Sequence, residues 1–195
     1  TVRSTFIGTD VGNGNHEFWY RIPRAVGAYS IHVQLLETSN GLSSTYYASD
    51  TFQRPVYTKS ENTLDYSCDA NSKPSPSMPS GSPYSVRWSG FVRPQYAQVY
   101  TFFAGVQTAV ERMKLWVDNS LLVDQWTDLT ATEKSGTLMI GTANGYYDVV
   151  MEYKQPSGTG VAQGAKLSWQ AALLFKTPIP GDKLYQSHET LTSPY

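Results

Sequence analysis

Few residues in this chain have the types and spacing that chemistry requires. His16, His32 and His188 lie far apart, none at a metal-ligand spacing from a cysteine or carboxylate, and they read as ordinary surface or strand residues. The single cysteine, Cys68, closes no bridge within the chain; it reads as a small loop residue, a bond to another chain being the alternative. No serine stands in a Gly-x-Ser-x-Gly setting, no phosphate loop is present, and no carboxylate pair for glycoside hydrolysis stands out by spacing. Asp118, Asp124 and Asp128 are close enough in sequence to be weighed as ion ligands, but acidic residues at hairpin turns are more often turn formers. The expectation is therefore a chain that is not an enzyme, with no assigned metal.

Other residues point to contact rather than catalysis. Trp88, Trp116, Trp126 and Trp169 are sugar-stacking candidates by type, yet each sits in or beside a strand-like run, where large aromatics usually fill the core. Trp19 with Tyr20, and Tyr46 with Tyr47, are adjacent pairs, so in a strand one member of each faces away from its neighbour's side. These pairs are the fairer candidates for an interaction surface. In the proline-rich stretch KPSPSMPSGSP, Ser75, Ser77, Ser80 and Ser82 have the composition of O-glycosylated extracellular stalks, with a plain flexible loop as the alternative. Its prolines remove backbone donors and fix φ, so the stretch is expected to be extended and solvated, outside the core. No Asn-x-Ser/Thr acceptor exists, which excludes N-glycans.

The elements that would position these residues are strands. Apolar and polar residues alternate over Tyr29–Leu36, at Met113, Leu115 and Val117, at Tyr147, Val149, Met151 and Tyr153, and at Leu167 with Trp169. Turn residues end each run. Asp118-Asn119-Ser120 reads as a tight hairpin, because asparagine tolerates positive φ. Thr108–Trp116 reads as loop into strand, too short for a helix to be marked by periodicity. Short strands with frequent turns make a sandwich or barrel. In 195 residues, 14 tyrosines and 5 tryptophans with only 16% charged residues fit half-buried strands. With 15 basic against 16 acidic residues, the basic face that nucleic acid demands is absent. No apolar run spans a bilayer, and Thr1–Thr5 lacks a signal-peptide pattern, so any secretion signal is expected elsewhere or already removed.

From Gly41 to about Gln170 the order of motifs resembles the protective-antigen-type, or PA-fourteen, domain: GLSSTYY, YSVRWSGFVRP, AQVYTFFAGV, RMKLWVDNSLLVDQW, GYYDVVMEYKQ and AKLSWQ. Before it, GNGN followed by HEFWYRIPRAVGAYSIHVQLL is similar to the latter part of a filamin-type immunoglobulin-like repeat, and Ser193-Pro194-Tyr195 resembles that repeat's last strand. The resemblance implies an all-β chain, an antiparallel sandwich or barrel plus part of an immunoglobulin-like sandwich. It also implies that residues 1–38 are the latter strands of the filamin-like repeat, 39–178 the PA-fourteen-like domain, and 179–195 a linker and the repeat's final strand.

In the adhesin branch of the PA-fourteen family an adjacent aspartate pair holds calcium, which grips sugar hydroxyls. The matching stretch here, Gln107 to Glu111, has one carboxylate and no aspartate pair, and Gln155 to Gly164 offers no carboxylate. No cofactor is assigned, and calcium is left possible. Glu111, Arg112 and Gln155 are the candidate glycan-binding residues. The expected function is a non-catalytic extracellular or cell-surface module of a longer matrix, adhesion or filament protein, contacting neighbouring domains or copies through open strand edges, or glycans. The alternative is a carbohydrate-binding module of an adhesin or secreted enzyme.

Overall fold

The computed structural model describes residues 9–12, 15–17, 34–68, 78, 81–128, 130–156 and 163–189, with backbone alone for 9–12, 15–17, 34–40 and 187–189. The chain separates into two compact units, Thr1–Val33 with Leu191–Tyr195, and Gln34–Thr190. In the first, β1 (Thr9–Gly12) pairs antiparallel with β2 (Asn15–Glu17), with a register shift between Asp10 and Gly12. The expected strand over Tyr29–Leu36 falls largely outside the described residues, as do Trp19, Tyr20, His32, Ser75, Ser77 and Ser80.

The second unit is built from β3 (Gln34–Asn40), β4 (Leu42–Tyr47), β5 (Pro55–Glu61), β6 (Asp65–Cys68), β7 (Tyr84–Val92), β8 (Val99–Val106) and β9 (Arg112–Val117). It continues through β10 (Ser120–Gln125), β11 (Glu133–Met139), β12 (Tyr147–Gln155), β13 (Gln163–Ala171), β14 (Leu174–Pro178) and β15 (Leu184–Glu189). Among the described residues these form an eight-stranded sheet in the order β10-β9-β12-β7-β15-β3, with β4 on β7 and β5 on β4. The other sheet has five strands, β11-β8-β13-β14 with β6 on β13. Every pairing is antiparallel, as the alternating pattern predicts. Both expected divisions, at 38/39 and 178/179, lie inside this unit. No helix among the described residues is long and apolar enough to cross a membrane.

Alternation decides what lies between the sheets. Met113, Leu115 and Val117 of β9, Val149, Met151 and Tyr153 of β12, and Val86 and Trp88 of β7 point inward from the larger sheet. They meet Tyr100, Phe102 and Ala104 of β8 and Leu167 and Trp169 of β13 in one cluster. The polar end of Trp88 is satisfied as well, its indole N–H donating to Glu61 Oε2 at 3.2 Å. The β9–β10 hairpin forms as expected, with Asp118 and Asn119 at φ of 50° and 57° in a two-residue turn.

Met78, in the proline-rich stretch expected to lie outside the core, joins the core instead, only 3% exposed, because an unbranched thioether can fill an irregular gap between sheets.

Two glycines let β15 enter the larger sheet. Along one edge β7 pairs with β4 from Ser85 to Ser89, then with β15 at Phe91 and Val92. At the switch, a Cβ on Gly90 would lie 2.2 Å from the Tyr185 carbonyl oxygen. Gly41, at φ +109° between β3 and β4, is equally confined, with a Cβ 2.2 Å from the Glu61 oxygen and its N–H donating to Leu184 O at 2.9 Å. Gly90→Ala is therefore expected to lower stability by about 2–4 kcal/mol in a urea melt. Gly141→Ala, whose Cβ meets nothing within 4 Å, is expected to leave stability within about 0.5 kcal/mol of the parent. Equal melts for the two variants would contradict this account of the β15 junction.

Candidate functional site

The end of the sandwich where β8 leads into β9 is organised by Glu111. Its side chain is wholly buried. One carboxylate oxygen accepts the Thr108 N–H and hydroxyl, closing the Gln107–Glu111 loop on itself. The other accepts the Tyr153 hydroxyl at 2.6 Å and the Gly164 N–H at 2.7 Å, tying that loop to β12 and β13. Behind it, the Tyr84 hydroxyl donates to Gln163 Oε1 at 2.5 Å and lies 3.3 Å from Tyr153 and 3.1 Å from Tyr66. Burial pushes the Tyr153 hydroxyl well above the phenol range, with Tyr84 and Glu111 adding to the shift. It pushes Tyr84 up to about 12, with the neighbouring Tyr153 and Tyr66 hydroxyls pulling it back. These hydroxyls therefore stay protonated as hydrogen-bond donors.

The three candidate glycan-binding residues do come together at this end. The register that sets Lys154 opposite Arg112 carries Gln155 beside Glu111. Glu111 and Gln155 are both withdrawn from solvent. Arg112 donates to the carbonyls of Ala109 at 2.9 Å, Glu111 at 2.8 Å and Thr127 at 3.2 Å, so its guanidinium braces the loop. No group of three or more His, Cys, Asp and Glu residues among those described could hold a metal. Asp124 pairs with Lys114 at 3.3 Å and accepts the Trp126 N–H at 3.1 Å. Ser82 is half-buried.

A different constellation lies on the outer face of the larger sheet. Trp88 and Trp169 are core residues, whereas Trp116 and Trp126 are half-exposed. Trp116, Asn119, Asp148, Val150 and Glu152 line an open groove of about 340 Å³, at the small end of ligand sites. Beside it a raised wall forms where the β4–β5 loop meets the end of β10. Phe52 and Trp126 stack with ring centroids 5.6 Å apart and planes 12° apart, and Tyr47 abuts Phe52 edge-on at 5.5 Å. Cations hold this wall to the sheet. Arg87 lies 4.5 Å from the Phe52 ring and Lys154 4.4 Å from the Trp126 ring. Lys114 sits between the indoles of Trp116 and Trp126 at 5.8 and 5.7 Å. Glu152 in turn accepts two bonds from Arg87, at 2.9 and 2.6 Å.

Of this surface the sequence offered Trp116, Trp126 and Tyr47. It gave no sign of Phe52, Asn119, Asp148, Val150 or Glu152. The available signal was the alternation itself: Trp116, between Leu115 and Val117, is out of phase with the buried residues of β9.

Removing the Glu111 carboxylate would leave the Gly164 N–H and the Tyr153 hydroxyl buried without their acceptor. Glu111→Ala is expected to cost roughly 3 kcal/mol or more, a fall of about 6–12 °C in melting temperature. Glu152→Ala, which breaks a half-exposed ion pair, is expected to cost about 1 kcal/mol or less. Comparable losses in the two variants would contradict the structural role of Glu111.

The PA14 domain profile matches residues 38–172. The anti-sigma-I factor RsgI3 of Acetivibrio thermocellus is 35% identical over 150 residues, 77% of this chain and 22% of that protein. An anti-sigma factor domain-containing protein from Clostridium clariflavum is 29% identical and superposes with a TM-score of 0.68 over 80% of this chain and 50% of the solved one. A PA14 sugar-binding domain from an RTX adhesin, 14% identical with a TM-score of 0.57 over 76% of this chain and 99% of its own, shares the fold. The chain thus spans about a fifth of the curated relative and half of the solved anti-sigma chain. On the profile match, and on a sandwich with the same architecture, the chain belongs to the PA14 domain family.

Proposed function

We propose that this chain is a non-catalytic, glycan-binding module of a longer extracellular or cell-surface protein. The observation that carries this reading is the half-exposed Trp116 indole over a groove rimmed by Asn119, Asp148 and Glu152. An indole face receives the C–H face of a sugar ring, and carboxylate and amide oxygens accept its hydroxyl protons. The RTX adhesin domain named as sugar-binding shares the fold. Because the loops around Glu111 offer no exposed carboxylate pair, binding is expected without calcium.

Contact with a neighbouring domain or copy is favoured by a separate observation. Val99 and Met139 are opposite one another at one end of the five-stranded sheet, 53% and 62% exposed. The β13–β14 hairpin at the same end adds Leu173 and Phe175, 75% and 94% exposed.

Affinity electrophoresis in gels containing barley β-glucan, xylan, galactomannan or polygalacturonate, run with EDTA, checks the glycan reading. The expected result is retardation by at least one of them that falls at least about tenfold in Trp116→Ala, with its melting temperature unchanged. No retardation by any, or retardation that requires calcium, would contradict it.

A further inference from the structure

Resting on the glycan-binding reading, we propose that the Trp116 groove is one end of a trough that crosses the strands and binds an unbranched, electrically neutral polysaccharide as an extended chain over several consecutive sugar units. Strand register lines up the trough. Leu121 of β10 is opposite Trp116 of β9, Trp116 opposite Val150 of β12, and Val150 opposite Ser89 of β7. Ser89 is opposite Ser43 of β4, and Ser43 opposite Ser60 of β5. All six lie on the outer face and keep exposed or half-exposed side chains. The row crosses six strands, roughly 24 Å at the usual spacing, several times the width of one sugar ring.

Its chemistry changes along its length. The Leu121–Trp116–Val150 half is apolar and suits ring faces, while the Ser89–Ser43–Ser60 half presents hydroxyls, of which Ser60 Oγ already accepts from the Gln186 amide and keeps its proton to donate to a sugar.

The neighbouring row fixes the charge of the ligand. Asp124, Lys114, Glu152 and Arg87 follow one another across β10, β9, β12 and β7 with alternating sign. Lys114 pairs with Asp124 at 3.3 Å and Arg87 with Glu152 at 2.6 Å. Beyond them Thr45 and Thr58 approach to 3.4 Å. A row whose charges are paired among themselves offers hydrogen-bonding atoms without a net field of either sign. The Phe52–Trp126 stack stands over this row, held by Arg87, Lys154 and Lys114, and forms one side of the trough. The trough lies on the sheet face, distinct from the loop end closed by Glu111.

Calorimetric titration of the full chain with disaccharides and hexasaccharides of the cello-, xylo- and manno- series, and with hexagalacturonate, tests this. A neutral hexasaccharide is expected to bind at least about tenfold more tightly than its disaccharide. Ser43→Tyr, which puts a strand-compatible bulky group at the far end, is expected to bring the hexasaccharide down to disaccharide affinity while leaving the disaccharide unchanged. Equal affinities for the two lengths, or equal losses for both in Ser43→Tyr, would overturn the extended-chain inference and leave the glycan-binding reading standing. Tighter binding of hexagalacturonate than of every neutral hexasaccharide would overturn the assignment of a neutral ligand. No binding of any sugar would remove both.

Discussion

A single carboxylate with no solvent contact holds one end of this sandwich together. Glu111 gathers four donors from two strands and its own loop, and three of the tyrosines behind it, Tyr66, Tyr84 and Tyr153, extend the hydrogen-bonded network through the core. A buried charge is tolerable only when it is this fully bonded. Because its oxygens are engaged inward, the loop end presents Arg112 braced on backbone carbonyls in place of an acidic bowl. On the proposed reading the ligand meets the sheet face instead, where side chains set by alternation alone stand in the open.

The outer face is ordered by elements that arrive from opposite edges of the sheet. Phe52 comes from the loop after β4, two residues before Arg54, and both have positive φ, at 57° and 59°. Trp126 comes from the end of β10, where Asp124 caps its N–H. They stack over charged residues of β7, β12 and β9, so cation–aromatic contacts join the wall to the sheet, beside the bonds of Ser85 Oγ, which accepts the Phe52 N–H at 3.2 Å and donates to Ser49 O at 2.7 Å. Packing of this kind places aromatic surface beside a groove without burying it.

What the sequence made legible was period and punctuation. Met113, Leu115 and Val117, or Val149, Met151 and Tyr153, announce their strands because one face of each meets the core. The Asp118–Asn119 turn was legible because few residue types accept its φ values. Trp88 and Trp169 fit the expectation that aromatics in strand motifs fill the core, and Tyr46 and Tyr47 divide between core and surface as an adjacent pair must. The trough was not legible, since its residues are brought together by the register of six strands far apart in sequence. Nor was the burial of Glu111, because nothing local distinguishes a carboxylate that will accept the N–H of Gly164, on a strand it does not adjoin in the chain. Met78 escaped notice because its neighbours in sequence are all turn and loop formers.

On the proposed reading the loop end is structural and the sheet face receives the ligand. Proton–nitrogen correlation spectra recorded while a neutral hexasaccharide is added would test it most directly. The expected result is movement of the Trp116 and Trp126 indole N–H signals and of the Val150 and Ser89 amides, with the amides of Thr108, Glu111 and Gly164 unmoved. Shifts concentrated at Thr108, Glu111 and Gly164, with both indole signals still, would contradict it.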